Sequence, residues 1–208
     1  MPRPECVDLR IKEKVLLELI RVPSGECLRI SMEQDSQKKM SGEEPIKVEH
    51  HFLLGKYPLT IAQWIAVMGE HESNANSFQR LFRRRDERSR NCTPYTGVTA
   101  EEAASFCVQL SELMNLKFSL PTEDEWEYAC RCGGNDPFPV GDPKRYPNRY
   151  YGTMRRSRED GYLEAGPLPG TIPPNRFGLL GMQGYIREWC CLRKTVENYD
   201  KKPKFTLC

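Results

Sequence analysis

The residues able to do chemistry in this chain are few and oddly spaced. Cys130-x-Cys132 and the adjacent pair Cys190-Cys191 could together supply four thiolates, as a structural zinc ion requires. Neither spacing is the usual zinc knuckle, however, and the plainer reading is of thiols packed as small apolar side chains. His50 and His51 are adjacent; on a strand they face opposite sides and cannot both reach one ion. Arg83, Arg84, Arg85, Arg88 and Arg90 form the densest positive charge and would suit a phosphate. Only Phe78 and Phe82 interleave with them, so nucleic acid is not the expected partner, and a solvated loop neutralised in part by Asp86 and Glu87 accounts for the run.

Three further pairs place a hydroxyl near a carboxylate or carboxamide: Thr60 with Gln63, Thr99 with Glu102, and Thr122 with Glu125. The three-residue spacing is that of a capping box, which satisfies exposed N–H groups at a helix start, so these are structural signals rather than catalytic dyads. Helices are therefore expected to begin after Thr60, with Ile61, Trp64, Ile65 and Met68 as the apolar stripe, after Thr99, with Phe106, Cys107 and Leu110, and after Thr122, with Trp126, Ala129 and Cys130. Gly69, Asn115 and Gly133-Gly134 are the expected stops. Trp126 and Trp189 read as core anchors.

Strands are expected at Ile46–Leu54 and Phe118–Leu120, with Pro121 ending the second. Val15–Arg21 suits a strand or a helix, and a Pro23-Ser24-Gly25 turn leads to a short strand around Cys27–Ile30. Residues 1–14 are densely charged and read as an N-terminal arm, with a single domain over 15–208. Residues 34–44 read as a polar loop, and from Gly134 to Pro174 the chain has almost no periodicity, the mark of long functional loops.

With 208 residues, one domain with a sizeable core is expected, and a net charge of +2 gives no global attraction to nucleic acid or membrane. The first twenty residues hold eight charged side chains and no apolar core of a signal, so a cytoplasmic location with reduced cysteines is the expectation.

Two blocks carry a resemblance. SLPTEDEWEYACRCGG, beginning at Ser119, resembles the R-L-P-T-E-x-E-W-E-Y-A-x-R-x-G block of the formylglycine-generating enzyme family, also called the sulfatase-modifying factor family, and NRFGLLGMQGYIREWC, Asn175–Cys190, is similar to its N-x-F-G-L-x-D/N-M-x-G-N-V-W-E-W-C block. LGKYPLTIAQW, from Leu54, and the helix from Val98 to Leu113 resemble two further family segments. The resemblance implies an α+β, C-type-lectin-like fold with short antiparallel strands, two to three helices and long loops.

It also implies particular site residues. The family holds calcium partly on the segment matching 181–188, so Gly184, Ile186 and Glu188 are the candidate metal ligands, although Gly181 stands where Asp or Asn is expected and Arg187 adds a positive charge. Without calcium, Glu188 would organise the loop through hydrogen bonds. Cys107, Cys130 and Cys190 coincide with family cysteines, whereas Cys132 and Cys191 do not. The family's copper thiolates lie in a later segment, from G-G-S-W/Y to G-F-R, that CLRKTVENYDKKPKFTLC does not match, so copper is not expected.

The expected function is a non-catalytic binding or interaction module that lacks the family's C-terminal segment and meets a protein or small ligand through Gln183, Tyr185 and Arg187. The alternative is a copper-dependent oxidase converting a peptidyl cysteine to formylglycine. A shortened sheet would need either a substitute strand, for which Phe205–Leu207 is the candidate, or a partner chain.

Overall fold

A computed structural model describes residues 4–29, 45–69, 91–136, 173–183, 186–192 and the strand 205–207. Its centre is a three-stranded antiparallel sheet of β1 (Cys6–Lys12), β2 (Val15–Val22) and β5 (Phe52–Gly55) in the order β1-β2-β5. Two hairpin-like pairs flank it: β3 (Gly25–Leu28) with β4 (Pro45–Val48), and β6 (Trp189–Cys191) with β7 (Phe205–Leu207). Three helices complete the described residues: α1 (Ile61–Met68), α2 (Ala100–Met114) and α3 (Glu123–Arg131).

The middle strand explains the layering. Because successive side chains on a strand point to opposite faces, Leu17 and Leu19 enter one apolar cluster and Ile20 and Val22 another. The first cluster contains Trp64 of α1 and Phe106 and Leu110 of α2; Trp64 stacks on Tyr95 at 4.4 Å and on Phe106 at 5.3 Å between ring centroids. The second holds Cys27 and Ile46 of the β3–β4 pair, Tyr128, Ala129 and Cys130 of α3, and Leu179 and Met182. Leu17 and Leu19 are buried on one face and Ile20 and Val22 on the other, so the second half of this strand is covered on both sides.

All three capping boxes form, with the Thr side chain accepting from the backbone N–H three residues on and the Gln or Glu side chain accepting from the Thr N–H. Gln63 does more, donating through Nε2 to the Leu16 carbonyl at 2.8 Å and so fastening α1 to the central sheet. Asn115 ends α2 in the left-handed conformation, as expected, but α3 ends on Cys132 at φ 56°, one residue before the Gly-Gly pair.

Several expectations are corrected. Residues 6–12 are not an arm: they form β1, paired with β2 along its length, and Glu5 accepts the Arg21 N–H at 3.0 Å just beyond it. Charged residues fit there because Asp8, Arg10 and Lys12 lie on the sheet face opposite Val7, Leu9 and Ile11. Ile46–Leu54 is two strands belonging to different sheets, and the exposed His50 and His51 lie at the crossing between them. Phe118–Leu120 is not a strand, because the Ser111 hydroxyl takes the Phe118 N–H at 2.9 Å and sits 3.3 Å from its carbonyl, leaving no ladder to join. The expected strand at Phe205–Leu207 is present, antiparallel to β6 with Trp189 opposite Leu207.

Candidate functional site

Helix α3 positions the polar groups that stand out, and it does so on two faces. Trp126 and Cys130, four residues apart, turn toward the segment 175–188; Asp124, Glu127 and Arg131 turn toward the end of β3.

On the first face the segment is held by Asn175. Its Nδ2 donates to the carbonyls of Ala129 at 2.9 Å and Cys130 at 3.4 Å, while its Oδ1 accepts the N–H groups of Phe177 and Leu179, both at 3.0 Å. One buried side chain thus ties the end of α3 to a tight turn. Sequence reasoning placed Asn175 in a family block without assigning it this task; the signal was an Asn two residues before the Phe-Gly pair, where an Asx turn starts.

Beyond the turn, Gly181 has a φ of 73°. Asn and Asp also tolerate that left-handed conformation, so glycine keeps the backbone and drops the side-chain oxygen. The Met182 carbonyl accepts a weak bond from the Cys130 thiol at 3.6 Å, and Gln183 has its Oε1 buried. Gly184 and Tyr185 lie outside the described residues. Ile186 is half-buried, and Arg187 is exposed at the rim.

Glu188 closes the segment. The residue as a whole is half-buried, but its Oε1 is sealed from solvent without a hydrogen-bond partner, and the Trp126 Nε1 is likewise sealed and unpartnered. Burial pushes the Glu188 carboxyl up to about 7, and the neighbouring indole only partly opposes this. The two groups are neighbours rather than a formed hydrogen bond. The expected loop organiser therefore makes no bond through Oε1.

Calcium takes six to eight oxygens, preferably with net negative charge. Among the described residues this segment offers one carboxylate, Glu188; Gly181 offers no side chain, and Arg187 is exposed beside it. These side chains alone supply fewer oxygens than a calcium shell takes, and main-chain carbonyls such as that of Ile186 would have to complete it. Burial pushes up the thiols of Cys27, Cys132 and Cys191, raises Cys107 to about 12, and raises Cys130 as well.

Elsewhere, Cys6, Asp8 and Glu18 bring their ligand atoms within 4.8 Å of one another on β1 and β2. Glu18 is already engaged by the Lys56 ammonium at 2.6 Å and the Tyr57 hydroxyl at 2.7 Å. Burial alone would raise Glu18, yet these two donors outweigh it and hold the carboxyl below its ordinary value. The group reads as an ion pair with a thiol beside it.

On the second face of α3, Arg29 pairs with Asp124, and Arg131 donates through Nη1 to the Leu28 carbonyl and, at 3.2 Å, to Glu127. Asn135 accepts the Leu28 N–H at 2.9 Å. Sequence reasoning did not single out Arg131, whose side chain is 2% exposed.

The model of the sulfatase-modifying factor enzyme 1-like domain matches residues 9–204. The formylglycine-generating enzyme of Mus musculus is 31% identical over 104 residues, 46% of this chain and 26% of that protein. The inactive C-alpha-formylglycine-generating enzyme 2 of Bos taurus is 29% identical over 115 residues, 52% of this chain and 36% of that one. The chain thus spans about a quarter to a third of these relatives. Among solved structures, Treponema denticola variable protein 1 superposes with a TM-score of 0.64 over 91% of this chain and 77% of its own, at 18% identity, which establishes a common fold. Among the described residues no helix is long and apolar enough to cross a membrane.

Proposed function

Because the chain belongs to the sulfatase-modifying factor enzyme 1-like family and has its α+β fold, we propose that it is a formylglycine-generating-enzyme-like binding module that engages a polypeptide through Gln183, Tyr185 and Arg187 without oxidising it. The observation that carries this reading is the base of that loop. A sealed carboxylate oxygen beside a sealed indole N–H, both unpartnered, is a native-state cost, and such costs concentrate where a protein recognises something. Gly181, Tyr185 and Arg187 are also the positions where the chain departs from the family block, as loop recognition on a fixed frame leads one to expect. The relatives include one named as inactive, which makes a non-oxidising member of this family an ordinary outcome.

A second reading, conversion of a peptidyl cysteine to formylglycine with copper thiolates supplied from elsewhere, is favoured by the identity to the mouse enzyme. One experiment separates the two. A fluorescent peptide carrying a sulfatase's target cysteine is mixed with the purified chain in oxygenated buffer, with and without copper(I), and followed by anisotropy and by an aldehyde-specific tag. Binding that Arg187→Glu weakens, with no aldehyde, is the expected result. Aldehyde formation by the chain overturns the non-oxidising reading, and absence of binding overturns the polypeptide-binding one.

A further inference from the structure

The second face of α3 holds a group that the loop 183–188 does not use. Arg131 is buried to 2% exposure, yet all of its bonding runs through one nitrogen: Nη1 donates to the Leu28 carbonyl and to Glu127 Oε1. Nε and Nη2 are sealed from solvent and have no hydrogen-bond partner. A guanidinium carries five N–H donors, three of them on Nε and Nη2, and it stays ionised in proteins, so those donors cannot be silenced by losing a proton. Buried charged donors without acceptors are rare in native structures.

The two free nitrogens are also the two that act together. Nε and Nη2 lie along one edge of the guanidinium plane and present parallel N–H bonds whose spacing matches the two oxygens of a carboxylate. Arg131 is held with that edge unbonded. The Leu28 carbonyl fixes the Nη1 corner, Asn135 in turn fixes Leu28 through its N–H, and the last turn of α3 fixes the stem. Of the carboxylates on α3, Glu127 bonds to Nη1 and Asp124 pairs with Arg29. A preset, one-sided fork of this kind is what bidentate recognition of a planar anion needs.

We propose that the Nε–Nη2 edge of Arg131, between the end of β3 and the end of α3, is a receptor for a carboxylate-bearing ligand, distinct from the loop 183–188. Being closed to bulk solvent, it loads when the chain folds around the ligand or when the Leu28–Arg29 end of β3 lifts.

Acetate serves as the probe, with chloride at matched ionic strength as the control. The full chain is unfolded and refolded in a series of each salt, and its melting temperature is followed. Expected is a saturable rise with acetate beyond that with chloride, with half-saturation shifted about tenfold or more in Arg131→Lys, which keeps the charge and loses the fork. Equal responses to the two salts, or an unshifted curve in the Lys variant, overturn the proposal. Should that variant fail to refold, the wild-type chain decides alone. The Nε–H resonance of Arg131 must shift during an acetate titration and not during a chloride titration, and a resonance that stays put shows that the edge is filled by water or left empty.

Discussion

Replacing Glu188 by Gln tests the view that this carboxyl is buried at a cost. Gln has nearly the same shape as a protonated Glu, so the substitution removes the charge and leaves the packing. In the native chain burial raises the group from 4.5 to about 7. Below the unfolded value both states hold the proton and the site costs nothing. As pH rises through 4.5 the unfolded chain releases its proton while the native chain retains it, so stability declines up to about pH 7 and is level above it. By linkage the full penalty is about 3 kcal/mol, an upper figure because part of the residue reaches the surface. Urea unfolding of both proteins at pH 5 and pH 8 measures it. The Gln variant should lie close to the wild type at pH 5 and exceed it by up to about 3 kcal/mol at pH 8, with unchanged denaturant slopes. A difference that does not grow with pH refutes the argument. A wild type that 1–5 mM calcium stabilises at pH 8 and the Gln variant does not, to take about the range of weak sites, would show instead that the segment holds the ion its donor set argues against.

Asn175→Ala should cost about 3 kcal/mol in the same assay, because two carbonyls and two N–H groups each lose a hydrogen bond together. Gly25→Ala should cost about 1–3 kcal/mol, since a Cβ there would lie 2.4 Å from the Tyr128 hydroxyl, and Tyr128→Phe in the same chain should recover much of it; additive losses in the double variant would rule out that contact as the cause. Thiol titration of the native protein at pH 8 should find Cys107 and Cys130 slow to react, accelerating only in denaturant, because burial keeps both protonated.

Much of the frame was legible because its signals are local. Each capping box lies within four residues and specifies a helix start whatever surrounds it, while the run VLLELI marks an apolar element that suits a strand or a helix until its neighbours arrive. The misread segments depend on partners distant in sequence. CVDLRIK is a strand because Val15–Ile20 lies alongside it, and nothing within its seven residues says so. FSL has the alternation of a strand, but one hydroxyl on α2 captures its backbone. At the site, the family blocks located Asn175 and Glu188 without giving their environment. Whether a carboxylate is bonded or stranded depends on which neighbours arrive, and Trp126 brings its N–H near Glu188 without completing a bond. Arg131 was hidden for the converse reason: on an acidic helix with Glu127 four residues before it, an arginine reads as a solvated surface partner.

The middle strand has an implication for how this domain can vary. Leu17 and Leu19 serve one cluster, Ile20 and Val22 the other, so neither half owns the wall between them. A lineage remodelling one half must do so without disturbing the strand whose alternate side chains support the other. Innovation is thereby steered to the periphery, toward crossings such as the one at His50-His51 and the rim around Arg187, where a new residue meets solvent on one side and a fixed frame on the other.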